Sequence, residues 1–216
     1  MKQLFSEDWF NILKPILKTK YFDDVGKFLK IERQTKIIYP ETNEDIFKAF
    51  KLTTFDNTRV VIVGQDPYHD GSATGLAFAN YILKSPSLKN ILDEVYDNCG
   101  VYTNHNLENW ARQGVLLLNM ALTVERNKPL SHINMWYKFT DYVFKCLNDN
   151  KTALIFMLWG NKAGSIIDKI DSNKHYILTA GHPSPLNTKI PFRGCKHFSK
   201  ANVILKSINN DEIDWS

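Results

Sequence analysis

Apolar residues fall at helical spacing near the amino terminus, where Trp9, Ile12, Leu13, Ile16 and Leu17 share one face. Val25, Phe28 and Leu29 predict a second, short helix, and a third is expected around Glu44 to Phe50. The period then changes. Arg59-Val60-Val61-Ile62-Val63-Gly64 is a short β-branched run closed by glycine, which predicts a buried strand. Three more such runs follow, at Val115 to Leu118, Ala153 to Trp159 and Tyr176 to Thr179. Helical patterns separate or follow them: Leu88, Ile91, Leu92 and Val95; Trp136, Phe139, Val143 and Leu147; Ala163, Ile166, Ile167 and Ile170; Phe198, Ala201, Leu205 and Ile208. Strands alternating with helices predict an α/β fold, a parallel sheet covered by helices on both faces.

That pattern has a functional consequence. In open α/β sheets ligands bind beyond the carboxyl ends of the strands. Here each strand runs into polar or turn chemistry: Gln65-Asp66-Pro67-Tyr68-His69, then Asn119, then Gly160-Asn161-Lys162, then Gly181-His182-Pro183-Ser184-Pro185-Leu186. Parallel strands would gather these four segments on one edge.

Composition adds bounds. At 216 residues, 44% hydrophobic and 23% charged, the chain is expected to be one globular domain, 1–216. No long uncharged apolar run is present and MKQLFSEDWF lacks the character of a signal peptide, so no membrane span is expected. Cys99, Cys146 and Cys195 stand far apart, which argues against a disulfide framework or a four-cysteine metal site and favours a reduced, cytoplasmic setting. The net charge of +4 is uneven. Ser172 to Asn210 holds no acid but carries Lys174, Lys189, Arg193, Lys196, Lys200 and Lys206, which makes it +6 and leaves −2 for the remainder. A basic flank beside the last strand-end loop suits a phosphate backbone, with salt-sensitive affinity.

The strand-end residues exclude several chemistries. Gly64-Gln65-Asp66-Pro67 contains neither a dinucleotide nor a P-loop glycine pattern, no metal-ligand spacing surrounds Asp66 and His69, and no GxSxG elbow occurs. A carboxylate and a histidine on different strand ends remain, a pair suited to hydrolysis with activated water or charge stabilisation. In His182 to Leu186 two prolines stiffen the loop and Leu186 is placed to act as an outward wedge, a device that unstacks bases. Lys84-Ser85-Pro86-Ser87 opens a helix, where backbone N–H groups favour phosphate.

Several segments together resemble the main family of uracil-DNA glycosylases: VVIVGQDPYH at Val60 to His69, GLAFA at Gly75 to Ala79, LLLN at Leu116 to Asn119, LTV at Leu122 to Val124, LWG at Leu158 to Gly160, HPSPL at His182 to Leu186, and GCKHFSKAN at Gly194 to Asn202. The resemblance runs from near Trp9 to Trp215. It implies a three-layer fold with a central four-stranded parallel sheet, and cofactor- and metal-free excision of uracil from single- or double-stranded DNA, without lyase activity. By motif match, Asp66 would activate or stabilise the attacking water and His182 would hydrogen-bond uracil O2. Asn119 would read the base edge, Tyr68 would block a thymine methyl, Phe78 would stack on the base and Gln65 would line the pocket. His69 would lie near the phosphate or the water, Ser87 and Ser184 would grip phosphates, and Leu186 would fill the vacated stack. A monomer is expected, together with sensitivity to a phage-encoded DNA-mimic inhibitor.

The chain departs from the family pattern at Thr74, at the single-proline Lys84-Ser85-Pro86-Ser87 stretch, at Asn161, at Asn187 and over Thr188 to Arg193, positions that concern DNA grip. Taken singly, Asp66 reads as a turn former, His182 as a structural histidine and Phe78 as core; only the ordered motifs make them a site. Two other functions fit the same fold: a catalytically weak DNA-binding accessory subunit, and a mismatch glycosylase accepting thymine, which Tyr68 and Asn119 oppose.

Overall fold

The computed structural model describes residues 1–82 and 85–216, so Lys84 of the Lys84–Ser87 stretch lies outside the described residues. Two helices lead, α1 (Glu7–Leu17) and α2 (Lys20–Thr35). Each begins where its sequence supplies a start. Asp8 accepts from the Trp9 N–H in the first turn of α1, and the Thr19 hydroxyl accepts from Phe22 N–H at the head of α2. The expected short second helix is thus 16 residues long, because its outer face is held in helix despite carrying polar residues. The third expected helix is two, α3 (Asn43–Ile46) and α4 (Lys48–Leu52), parted at Phe47.

Four strands form the central sheet: β2 (Val60–Gly64), β3 (Val115–Asn119), β5 (Ile155–Trp159) and β6 (Tyr176–Ala180). Their order is β3-β2-β5-β6 and every pairing is parallel. β2, β3 and β5 are buried at every position, as expected of strands covered on both faces, while β6 is the partly exposed edge. A small antiparallel pair, β1 (Ile38–Tyr39) with β4 (Val124–Glu125), stands apart from this sheet.

The remaining helices are α5 (Pro86–Cys99), α6 (Glu108–Arg112), α7 (Ile133–Asn150), α8 (Gly160–Gly164) and α9 (His197–Ser207). The apolar spacing at Ala163 to Ile170 does not form one helix. α8 ends at Gly164 and a separate 3-10 turn covers Ile167–Lys169. Helices α1, α2 and α7 pack on one another, as do α5 and α9. The two groups carry separate aromatic clusters. Trp9, Phe22, Phe47, Phe50, Trp136 and Phe139 pack edge-on or tilted in one, and Trp110, Trp159, Phe192, Phe198 and Trp215 in the other. These layers hold the sheet rigid beneath its carboxyl edge.

The strand order also locates a crevice. The chain leaves β2 for β3 on one side and later places β5 on the other side of β2. At such a switch point the loops diverge and open a crevice at the carboxyl edge.

Candidate active site

A cavity of about 510 Å³ opens at that edge. All ten residues singled out in the sequence line it: Gln65, Asp66, Tyr68, His69, Phe78, Ser87, Asn119, His182, Ser184 and Leu186. They come from the ends of β2, β3 and β6, from the loop before α5 and from its first turn.

The strand ends seat the first of these. Gly64 and Asn119 are register partners at the ends of β2 and β3. A side chain at Gly64 would place its Cβ 2.1 Å from Asn119 Oδ1, so only glycine leaves room for that amide. Asn119 is 5% exposed and lines the cavity. Its amide therefore presents one acceptor and one two-proton donor to the cavity.

Asp66 follows two residues after Gly64 and is held at both oxygens. Oδ1 accepts from Gln65 Nε2 at 2.9 Å, and Oδ2 accepts from the Leu130 N–H at 2.6 Å. Gln65 thus turns its side chain onto the carboxylate. Leu130, whose φ is +66°, belongs to the loop after β4, and Pro129 from that loop also lines the cavity. This loop was absent from the sequence reading, because its contribution is a backbone N–H that no side-chain motif records.

His182 faces the same cavity. Its Nδ1 accepts from the Ser184 N–H at 3.0 Å, so the ring proton of the neutral form sits on Nε2. Burial holds its pKa below the usual histidine value, which favours the neutral ring. Gly160 provides the seat. It has φ +82°, and a Cβ there would lie 2.8 Å from His182 Cβ. Sequence reasoning recorded Gly160 as part of LWG and of the turn after the third strand, not as the seat of His182.

Phe78 is held in the left-handed region, φ +64°, by the bonds around it. Tyr68 O–H donates to the Phe78 carbonyl at 3.1 Å, and the Ala77 N–H donates to Leu117 of β3. The Phe78 ring packs 5.4 Å from Trp159 and 6.1 Å from His182, centroid to centroid. Burial pushes the Tyr68 hydroxyl up to about 12, so it stays a neutral donor. Thr74, buried at 1%, accepts from Leu76 N–H and shapes this loop from within.

The rim is polar and apolar by turns. Ser184 Oγ accepts from Leu186 N–H, which leaves its own proton to donate outward. Ser87 sits in the first turn of α5, behind the capping Ser85 that accepts from Leu88 N–H. Leu186 is 91% exposed. Among the described residues His69 Nδ1 is buried without a partner, an open position for a polar ligand atom. The basic flank is less free than its sequence suggested. Arg193 is bonded to Asp97 and faces Asp93, Lys206 pairs with Glu212, and Lys174 precedes β6 and so sits at the opposite edge of the sheet. Among the described residues no cluster of three or more His, Cys, Asp or Glu is placed to hold a metal ion, and no helix is long and apolar enough to cross a membrane.

Known proteins share this architecture. Residues 50–206 match the Uracil DNA glycosylase superfamily. A uracil-DNA glycosylase of Fusobacterium nucleatum subsp. nucleatum is 47% identical over 97% of this chain and 95% of its own length. That of Aliarcobacter butzleri is 46% identical over 96% and 99%. The crystal structure of mimivirus uracil-DNA glycosylase superposes with a TM-score of 0.90 at 30% identity, covering 99% of this chain and 88% of that one. A variant of it solved in complex with UGI also superposes at 0.90, with 30% identity over 99% of this chain and 89% of that one. Similarity of this extent, over nearly full length in both partners, places the chain in the uracil-DNA glycosylase superfamily, enzymes of DNA repair that hydrolyse the N-glycosidic bond of uracil in DNA.

Proposed function

We propose that the cavity receives a uracil swung out of DNA and that Asp66 and His182 cleave its bond to the sugar. One observation supports this most strongly. A fixed carboxylate and a neutral imidazole with its donor on Nε2 line the same cavity. Breaking the C1′–N1 bond sends the bonding pair into the base and leaves positive charge on the sugar. The Nε2–H of His182 would donate to O2 as negative charge gathers there. The Asp66 carboxylate would stabilise the sugar cation and take the proton of the water that adds to C1′. A second carboxylate is not required, because the leaving base is itself a stabilised anion.

The other residues select and hold the base. Asn119 would match the donor and acceptor edge of uracil, Tyr68 would crowd a C5 methyl, and Phe78 would stack on the ring, with Gln65 and His69 completing the wall. Ser87 and Ser184 would donate to phosphates. Leu186 would enter the gap left in the stack, where unstacking costs about a few kcal/mol. The chain would act as a single domain over 1–216, monomeric and cytoplasmic. The same rim would take a phage-encoded DNA mimic, a reading supported by the UGI complexes of the mimivirus enzyme.

The test is release of free uracil from a uracil-containing oligonucleotide at low salt without added metal. The purified protein releases uracil, and Asp66→Asn and His182→Leu each lower turnover by at least about 100-fold while DNA binding survives. Absence of release by the unaltered protein refutes the assignment, and equal loss of binding in the variants makes the two residues structural instead.

A further inference from the structure

The loop that carries His182, Ser184 and Leu186 closes on itself. At its neck the Gly181 N–H donates to the Pro191 carbonyl at 3.2 Å. Inside the neck, Asn187 spends both protons of its amide. Nδ2 donates to the His182 carbonyl at 3.0 Å and to the Ile190 carbonyl at 2.6 Å. The two acceptors lie on opposite stems, so one side chain ties the stems together. The space is filled: a Cβ on Gly181 would sit 2.5 Å from Asn187 Nδ2. From outside, Asn90 of α5 donates to the Pro183 carbonyl at 2.7 Å. Between these ties stands Leu186, 91% exposed, with no packing of its own to fix it.

Pro183 and Pro185 restrict φ at two positions but cannot set the spacing of the stems. The Asn187 amide does, alongside the Gly181–Pro191 backbone bond at the neck. Order built in before binding is order that need not be imposed on contact with DNA.

We propose that Asn187 is a positioning residue that holds this loop in the shape from which Leu186 enters duplex DNA. This rests on the uracil-excision reading above. Asn187 acts through Leu186, and its influence is greatest where a base must be displaced from a stack. Single-stranded uracil makes no such demand.

Asn187→Ala and Asn187→Leu remove the donors, the second with nearly the same volume and without added charge. Both variants are assayed on uracil in single-stranded and in duplex oligonucleotides, alone and in a Leu186→Ala background. On duplex, kcat/KM falls roughly tenfold, mainly through KM, the size expected from losing two hydrogen bonds of modest net strength. On single strands it stays within about threefold. In the Leu186→Ala background the further loss on duplex disappears, which a general structural defect would not produce. Equal losses on both substrates, an undiminished loss in the Leu186→Ala background, or no loss on duplex each overturn the proposal. The unaltered protein on single-stranded substrate is the control: its activity preserves the excision reading even where the Asn187 proposal fails.

Discussion

At the scale of single residues, the informative feature is how few protonation states the geometry allows. His182 Nδ1 receives a backbone N–H from Ser184, and an imidazolium would set two donors against each other there. Burial acts in the same direction. A lowered histidine pKa means the neutral form persists through pH 7 and down past the ordinary value of 6.5. An NMR titration of the His182 ring therefore gives a midpoint below 6.5, with the Nε2–H tautomer above it, and the neutral ring is still the major form at pH 6.5, so single-turnover excision loses less than half to this group between pH 8 and 6.5. A midpoint at or above 6.5 contradicts the arrangement. Phe78 shows a second kind of restriction. An aromatic residue at φ +64° carries backbone strain of about 1–3 kcal/mol, and it persists because Tyr68 and β3 hold the segment on either side.

At the scale of elements, side chains of the site are placed by backbone that approaches closely. Gly160, first residue of α8, is the sharpest case. Gly160→Ala adds a methyl 2.8 Å from His182 Cβ in a left-handed conformation, so the histidine must shift. Excision falls by about 10- to 100-fold with DNA binding kept, and urea unfolding shows a cost of about 1–2 kcal/mol. Activity within twofold of the unaltered protein would remove Gly160 from this role. Such roles mark the boundary of what a sequence discloses. Three of the four central strands, β2, β3 and β5, were legible because burial on both faces makes them continuous apolar runs, and the partly exposed β6 because Tyr176 to Thr179 is still a short apolar and β-branched run. Asp66, Asn119 and His182 were legible because their strand ends and motifs agree. The two-residue strands β1 and β4 were too short to show a period. Ile166 and Ile170 do point inward, but from the turn before and the bend after a short 3-10 segment, whose apolar spacing imitates a helix. The Leu130 N–H on Asp66 and the Gly160 seat depend on distant backbone meeting in three dimensions, and no local pattern encodes that meeting.

At the scale of the molecule, the site depends on how the sheet is tied to its covering helices, and one tie is titratable. His197, the first residue of α9, is 2% exposed. Its Nδ1 accepts from Trp159 Nε1 at the end of β5 at 3.0 Å, and the ring also meets the Thr179 backbone of β6. One neutral imidazole thus joins α9 to two strands directly beneath Phe78, whose ring rests on Trp159. Burial lowers the His197 pKa to about 4, against 6.5 when unfolded. Between these values the unfolded chain binds a proton that the folded chain does not, so stability rises with pH across this window. The contribution is nearly complete above pH 7 and is lost as pH falls toward 4, amounting to about 2–3 kcal/mol by pH 4.5. His132, His175 and His182 are lowered by burial too and add to the same slope. His197→Asn keeps an acceptor near Trp159 but removes the titration. Urea unfolding at pH 7 and pH 4.5 then shows a smaller drop in the variant than in the unaltered protein, by about the His197 share. Identical drops in the two proteins would mean that this histidine is not what loosens the fold in acid, and the weakening would belong to the other buried rings and to paired carboxylates such as Asp8, Asp70 and Glu108. A smaller drop ties the acid limit of the whole molecule to the joint that supports its base-stacking wall.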